Sequence, residues 1–363
     1  MTDKTPPFHG SYLPQQVQFL LKPISVETVA DTVHKEALIQ SGRRHYSEML
    51  SPEAPPSPQY LALFQAALAR NGRRMAADCL QLAALVAARR DAPVLVSLAR
   101  AGTPVGVMLQ HILSRHYRRA VPHYSLSIIR DRGIDANALR HILAQGHDSR
   151  SLVFIDGWTG KGVISRELHR FVAEFNRRHG TAIDSSLYVL SDLAGTAGTA
   201  AACDDYLIPS AILNACVSGL VSRSVLNEAI GEKDFHGCVY YREFEPFDLS
   251  QSFIRELTAH SDPMQENGLP AARPADTAAA AQTSRRYLTE AKARYGIADE
   301  NLIKPGIGEA TRVLLRRRPG LLLVRDTACP DTAHLLQLAA EKNVPVGEQP
   351  DLPYRAVSLI RQL

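Results

Sequence analysis

The spacing of apolar residues changes character along the chain. Residues 26–42, VETVADTVHKEALIQSG, place apolar side chains at helical intervals and stop at Gly42. From Tyr60 to Arg90 the helical spacing continues with many alanines and predicts two helices broken at Asn71-Gly72. Beyond Arg90 short apolar runs alternate with glycine-rich turns and helical stretches. APVLVSLARAGTPVGVMLQHIL (92–113) and SLVFIDGWTGKGVISRELHRFVAEF (151–175) each read strand, turn, helix. VPHYSLSII (121–129), SSLYVLSDLAGTAG (185–198) and DDYLIPS (204–210) add three strand candidates. Strands alternating with helices predict right-handed βαβ units and a mostly parallel sheet. Ligands of such sheets bind beyond the carboxyl ends of the strands, where these turns fall.

Punctuation divides the rest. The start is irregular, with Thr5-Pro6-Pro7 early and SPEAPPSPQY (51–60) as a proline-rich connector. DPMQENGLPAARPADTAAAAQT (262–283) reads as a linker, with alanines that would also extend a helix. After it come the helix SRRYLTEAKARYG, a helix through GEATRVLL, the strand GLLLVRD, another helix and the short strand VPVGE. The expected organisation is an N-terminal extension (1–60), an α/β domain (61–261), a linker (262–283) and a small α/β domain (284–363).

Composition narrows the class. At 363 residues, with 45% hydrophobic and 21% charged residues, the chain is long enough for a large core. No run of 18 apolar residues and no apolar leader occurs, so a membrane span and an export signal are not expected. The five cysteines, at 79, 203, 216, 238 and 329, share no metal-like or disulfide-like spacing and read as reduced thiols of a cytoplasmic protein. The net charge of +4 resides in residues 285–363, with 13 Lys and Arg against 9 Asp and Glu, while the remainder is balanced. That bias suits an anionic partner, although a solvated surface explains it as well.

The turn DGWTGKG (156–162) has a phosphate-grip composition. An ATP-type loop is excluded, because Ile155 stands where its first glycine should be and Gly162 where its magnesium-binding hydroxyl should be. What remains is an acid, Asp156, followed by Thr159, Gly160, Lys161 and Gly162 at a helix start, which could hold a phosphate through backbone N–H groups. The stretch resembles the phosphate loop of phosphoribosyltransferases, in which a second acid stands where this chain has Gly157. Upstream, Arg100-Ala101-Gly102-Thr103 forms a second such turn, in which Gly102 gives backbone freedom and Arg100 a cation. Between them, residues 127–150 fit the position of a mobile loop that closes over a substrate and carry Arg130 and Arg132, and Asp192 follows a later strand. Each piece alone is an ordinary glycine turn or a solvated arginine; in this order they suggest a phosphoribosyl diphosphate site.

The turns, with FHGSYLPQQVQFLLKPI, LIQSGRRHYSEMLSPEAPPSPQYLALF and IPSAILNACVSGLVSRSVLNE, resemble a bacterial family of tellurite-resistance and stress-response operons. Its members are described as phosphoribosyltransferase-like, and some carry the label of StiP-type cysteine proteases. The resemblance covers about residues 8–260. It implies a phosphoribosyltransferase fold and phosphoribosyl transfer to a base-like acceptor, with magnesium entering on the substrate beside Asp156. Arg100, Arg130, Arg132 and Asp156 would then be catalytic. Ala101, Gly102, Thr103, Gly157, Thr159 to Gly162 and Asp192 would bind substrate, and homodimerisation would be compatible. KPGIGEATRVLLRRRPGLLLVRDTACPDTAHLLQLAAEKNVPV resembles pelota/L7Ae-type RNA-binding domains, with YRAVSLI as the last helix of a small three-layer unit. This implies RNA contacts through Gly306, Gly308, Glu309 and Arg312, with Lys304 and Arg316–Arg318 on phosphates. The rival expectations are a sensor that kept the grip without catalysis, and a cysteine protease. For the protease, the acids Asp204-Asp205 beside Cys203 disfavour its thiolate, Cys216 in an apolar small-residue segment reads as packing, and Cys238 lies two residues from His236, a pairing more often structural.

Overall fold

A computed structural model describes residues 8–266 and 268–362. The irregular start around Thr5-Pro6-Pro7 lies outside them. Six strands form one all-parallel sheet, in the order Gln18–Leu20, His123–Leu126, Val94–Leu98, Leu152–Thr159, Leu187–Asp192 and Thr199–Ala202. The central strands are mostly apolar because both faces are covered. Leu95, Val153, Ile155 and Tyr188 face a core shared with Leu82, Met108 and Phe253, from helices Pro58–Arg89, Gly102–His116 and Ser250–Glu266. Val96, Phe154, Leu187 and Val189 face Leu139, Ile142, Leu168 and Val172, from helices Ala136–Ala144 and Val163–His179.

Several elements depart from the sequence pattern, each for a visible reason. Asn71-Gly72 does not break a helix: Pro58–Arg89 is continuous. Asn71 is buried, and its Nδ2 donates to Leu207 O and to Asp331 Oδ1, both at 2.9 Å. Gly72 lies where a Cβ would come within 3.6 Å of the His260 ring. Residues 204–210 are not a strand; the last strand of the sheet is Thr199–Ala202, too rich in alanine to stand out. The N-terminal residues supply the opposite edge strand, and Lys22-Pro23 pairs with Gly237-Cys238. Residues 127–150 are not a mobile loop. Ile128-Ile129 pairs with Gly133-Ile134, Phe171 packs where a Gly133 side chain would be, and Asp135 caps the following helix.

The C-terminal unit has a four-stranded mixed sheet, ordered Ile303–Pro305, Ala356–Ile360, Pro319–Val324 and Val346–Glu348. Helices Ala278–Tyr295, Ile307–Arg316 and Ala333–Glu341 accompany it. YRAVSLI is therefore a strand at its core and not a helix, since Ala356–Ile360 pairs on both sides and is buried throughout. This unit is docked firmly. Ile307, Ala310, Leu314, Leu322, Leu335 and Leu338 belong to the same apolar core as Ile212 and Leu213. Buried Asp205 accepts the backbone N–H of Ile307 at 2.9 Å and of Arg355 at 2.8 Å. Asp331 receives Asn71 and, at 2.6 Å, the Arg355 guanidinium, while Arg317 grips Glu36 at 2.6 and 2.7 Å. Among the described residues no helix is long and apolar enough to cross a membrane.

Candidate active site cleft

The expected turns do meet beyond the carboxyl ends of the parallel strands, but the C-terminal unit closes over them. Strand Leu152–Thr159 ends in Thr159, whose hydroxyl donates to Asp192. Asp192 is fully buried and also accepts the N–H groups of Ala194 at 3.2 Å and Ala197 at 2.9 Å. It shapes this turn and the next one instead of facing a ligand. Gly162 has φ +75°, and a Cβ there would strike Thr196, so glycine is needed at the start of helix Val163–His179. Lys161 reaches across to the carbonyl of Glu300 in the C-terminal unit. Asp156 accepts the N–H of Gly157 at 2.8 Å.

The second turn is held as tightly. Arg100 is almost fully buried and binds Glu53 at 2.7 and 3.1 Å and the Val221 carbonyl at 2.7 Å. Glu53 lies in the proline-rich stretch that reads as a mere connector. Burial alone would raise its carboxyl, but Arg100 and Arg316 bring it below its ordinary value. Gly102 packs so closely on Ile155 O that a Cβ would come to 2.3 Å from it. The Thr103 hydroxyl is buried and bonded to Ser125 Oγ at 2.8 Å, so it presents nothing to a ligand. Arg130 lines the cleft, whereas Arg132 pairs with Glu48 at 3.4 Å and does not line it. Arg100 and Arg132 are thus spent on internal partners.

Of the residues expected to touch RNA, Lys304, Glu309, Arg312, Arg316 and Arg317 form the cleft's other wall. Arg312 stacks 4.4 Å over the Trp158 ring and donates to Glu309 at 2.5 Å. Glu309 packs against Gly160, and Gly308 against Trp158. Gly306, at φ +90°, starts helix Ile307–Arg316 beside Leu193. Arg316 donates to Asn214, and Lys304 lines the same cavity as Lys161. A Gly308→Ala variant would place Cβ 2.3–2.7 Å from Trp158. It is expected to lose about 1–3 kcal/mol of stability, read by chemical denaturation, with a shift in tryptophan fluorescence; unchanged values would show that the wall is not packed this way.

Three contiguous cavities result. One of about 230 Å³ is lined by Arg130, Lys161, Lys304, Arg312 and Arg317 against Asp156 and Glu309. A neighbour of about 190 Å³ shares Tyr46, Asp156, Trp158 and Arg312 with it and adds Arg100, Asn214, Arg223 and Arg316. The third, about 330 Å³, shares Asn214, Arg223 and Arg316 with the second and is bounded by Glu53, Ser57 and Cys216. Burial pushes Asp156 up to about 6, with Arg312 opposing. Burial also takes Lys161 down to about 7, with help from Lys304, and Lys304 down to about 8. Glu309 stays below its ordinary value despite burial, because Arg312 and Lys304 hold it there. Sequence reasoning missed Glu53, Tyr46, Trp158, Asn214 and Arg223. Only Trp158, the single tryptophan, lying inside a glycine turn, carried a signal that could have been read.

The thiols separate clearly in this setting. Cys79 and Cys238 are sealed in the core, and burial pushes Cys238 up to about 12. His236 points its Nδ1 at Ser127 Oγ, 2.8 Å away, and not at Cys238. Burial and then Asp192 and Asp204 push Cys203 up to about 11. Cys329 lies 3.7 Å from the Arg355 guanidinium. Of the five, only Cys216 lines one of these three cavities. Among the described residues no histidine nitrogen is hydrogen-bonded to a cysteine sulfur.

Fold and cleft define a mixed α/β protein with a parallel central sheet, whose small C-terminal domain roofs a basic cleft. Residues 10–258 match the family of tellurite-like stress resistance cysteine protease StiP, and residues 282–362 match the PELOTA RNA binding domain. The cysteine protease StiP of Acinetobacter baylyi is 43% identical over an alignment of 371 residues, covering 98% of this chain and 95% of the relative. The chain belongs to the StiP family. That membership overturns phosphoribosyl transfer as the activity, and the structure supplies physical reasons. Arg100 is committed to Glu53, Thr103 and Thr159 to internal hydroxyl and carboxyl partners, and Arg132 lies off the cleft. Magnesium and phosphoribosyl diphosphate belong to that activity and have no other support in this chain.

Proposed function

We propose that this chain is a thiol-dependent peptidase of the StiP class with Cys216 as its nucleophile. The observation that carries the assignment is that Cys216, alone among the five thiols, borders these contiguous cavities. In such a reaction the sulfur attacks a peptide carbonyl, the amine leaves with a proton, and water then hydrolyses the thioester. Asn214 and Arg316, at the same cavity, are placed to orient the carbonyl and to meet negative charge developing on its oxygen. Burial, Glu53 and Asp248 push Cys216 up to about 11, with Arg100 opposing, so the resting thiol is protonated at neutral pH. Below that value the thiolate fraction grows tenfold per pH unit. Alkylation of Cys216 by iodoacetamide, mapped by mass spectrometry, is therefore expected to accelerate about tenfold per unit between pH 7 and 10. A plateau near neutrality would show an activated thiolate that this geometry lacks. The class itself is tested with casein and a peptide library. Activity that survives replacing all five cysteines by serine would sink it.

The scaffold, as distinct from the activity, is read as phosphoribosyltransferase-like, on the strength of the two glycine turns following consecutive strands of the parallel sheet. RNA binding is a second reading. It is favoured by the PELOTA match and by the excess of cations in the first cavity. Since the Gly306–Arg312 turn faces the cleft, RNA would have to enter there. Affinity for a kinked stem RNA that survives Glu309→Ala combined with Arg312→Ala would refute those contacts.

A further inference from the structure

Outside the cleft, helices Gly102–His116 and Ser250–Glu266 meet at a compact cluster of donors. His111 Nε2 lies 3.2 Å and His116 Nε2 3.0 Å from the same oxygen, Asp262 Oδ1. One ligand atom from each of the three residues fits within a 4.8 Å span. We propose that His111, His116 and Asp262 form a binding site for a divalent transition cation of the zinc type.

Three features support this choice. Two ligand atoms bound to a tetrahedral zinc at about 2.0–2.1 Å are separated by roughly 3.3 Å, close to both nitrogen–oxygen distances here. Two imidazoles and one carboxylate make a donor set suited to zinc and its neighbours and not to magnesium or calcium. The other Asp262 oxygen, Oδ2, is held at 3.3 Å by Arg115 Nε, which orients the carboxylate and leaves Oδ1 for the metal. In addition, His116 closes its helix, so the cation would sit at the negative end of the helix dipole. Each imidazole would bind through the Nε2 lone pair with its proton on Nδ1, and a water or a fourth ligand would complete the shell. The metal would pin two helices joined by about 150 residues of chain and leave the cleft untouched.

The test uses the full chain after chelation. Titration calorimetry with zinc chloride is expected to show one site of micromolar or tighter affinity, with a rise in melting temperature. Cobalt(II) should give the visible bands of a nitrogen- and oxygen-bound ion without thiolate charge transfer. His111→Gln and, separately, Asp262→Asn should weaken binding at least about tenfold and abolish the thermal shift while the fold, followed by circular dichroism, persists. His111 is half-exposed, so its variant tests the site with little disturbance of the core. No zinc binding, wild-type affinity in both variants, or cobalt spectra dominated by thiolate would overturn the proposal.

Discussion

A Cys216→Ser variant is expected to keep its fold and lose peptide hydrolysis by roughly 10⁴-fold or more, the scale seen when a nucleophile is removed. The fold should survive because Cys216 contributes to the neighbouring structure mainly through its backbone: its carbonyl accepts the Leu249 N–H at 2.7 Å. Its side chain packs in a small cluster with Leu220, Tyr241 and Phe244, where one sulfur-to-oxygen exchange alters little volume. The same exchange at Cys203 or Cys329, which line none of the three cavities, should leave activity within a few-fold. Cys79 and Cys238 are deep in the core, so their serine variants report on stability more than on chemistry. Purified variants assayed on the same peptide pool, with circular dichroism as the folding control, decide the matter. Full activity in Cys216→Ser together with loss in another cysteine variant would move the nucleophile; activity in every variant would remove the thiol mechanism altogether.

The sequence reveals the strands of the central sheet because burial on both faces makes them largely apolar, as in Val94–Leu98 and residues 187–190. It conceals Gln18–Leu20 and Thr199–Ala202, which are short edge strands of mixed composition whose pairing depends on distant partners. YRAVSLI misleads for a related reason. Seven residues cannot distinguish a period of 2 from one of 3.6 once both faces are covered. The candidate cleft was legible in part. Both glycine turns reach it, because a turn after a parallel strand must fall at the carboxyl edge of the sheet. What those turns do there was not legible. Whether Arg100 greets a ligand or a carboxylate depends on Glu53, 47 positions earlier in a stretch without periodicity. Nor could local pattern show that Gly308, Glu309 and Arg312 would meet Trp158 and Gly160, since that contact joins two separately patterned domains. The phosphoribosyl reading failed at this level: it matched residue types in order, while their hydrogen-bond partners came from elsewhere in the chain.

Removing the Asp205 carboxylate should loosen the C-terminal domain from the sheet and expose the cleft. Asp205→Ala leaves the buried N–H groups of Ile307 and Arg355 without their acceptors. At about 1–3 kcal/mol for each orphaned donor, the expected loss is about 2–6 kcal/mol. Hydrogen exchange should locate it, with the amides of residues 307 and 355 losing protection before the central strands do. The effect also has a pH signature. Burial pushes the Asp205 carboxyl up to about 6, against hydrogen bonds from Ile307 and Arg355 that pull it down. A carboxyl with a raised folded-state value binds its proton more tightly in the folded chain. Its stabilising contribution is therefore complete below the ordinary value of 3.8 and is lost as pH rises through about 6. The stability gap between wild type and Asp205→Ala should accordingly widen by up to about 3 kcal/mol as pH falls from 7 to 4, a shift of roughly two pKa units. Urea denaturation of both proteins across that range measures it. A gap that stays constant with pH would show that Asp205 titrates normally, and unchanged exchange at residues 307 and 355 would show that other contacts hold the roof in place.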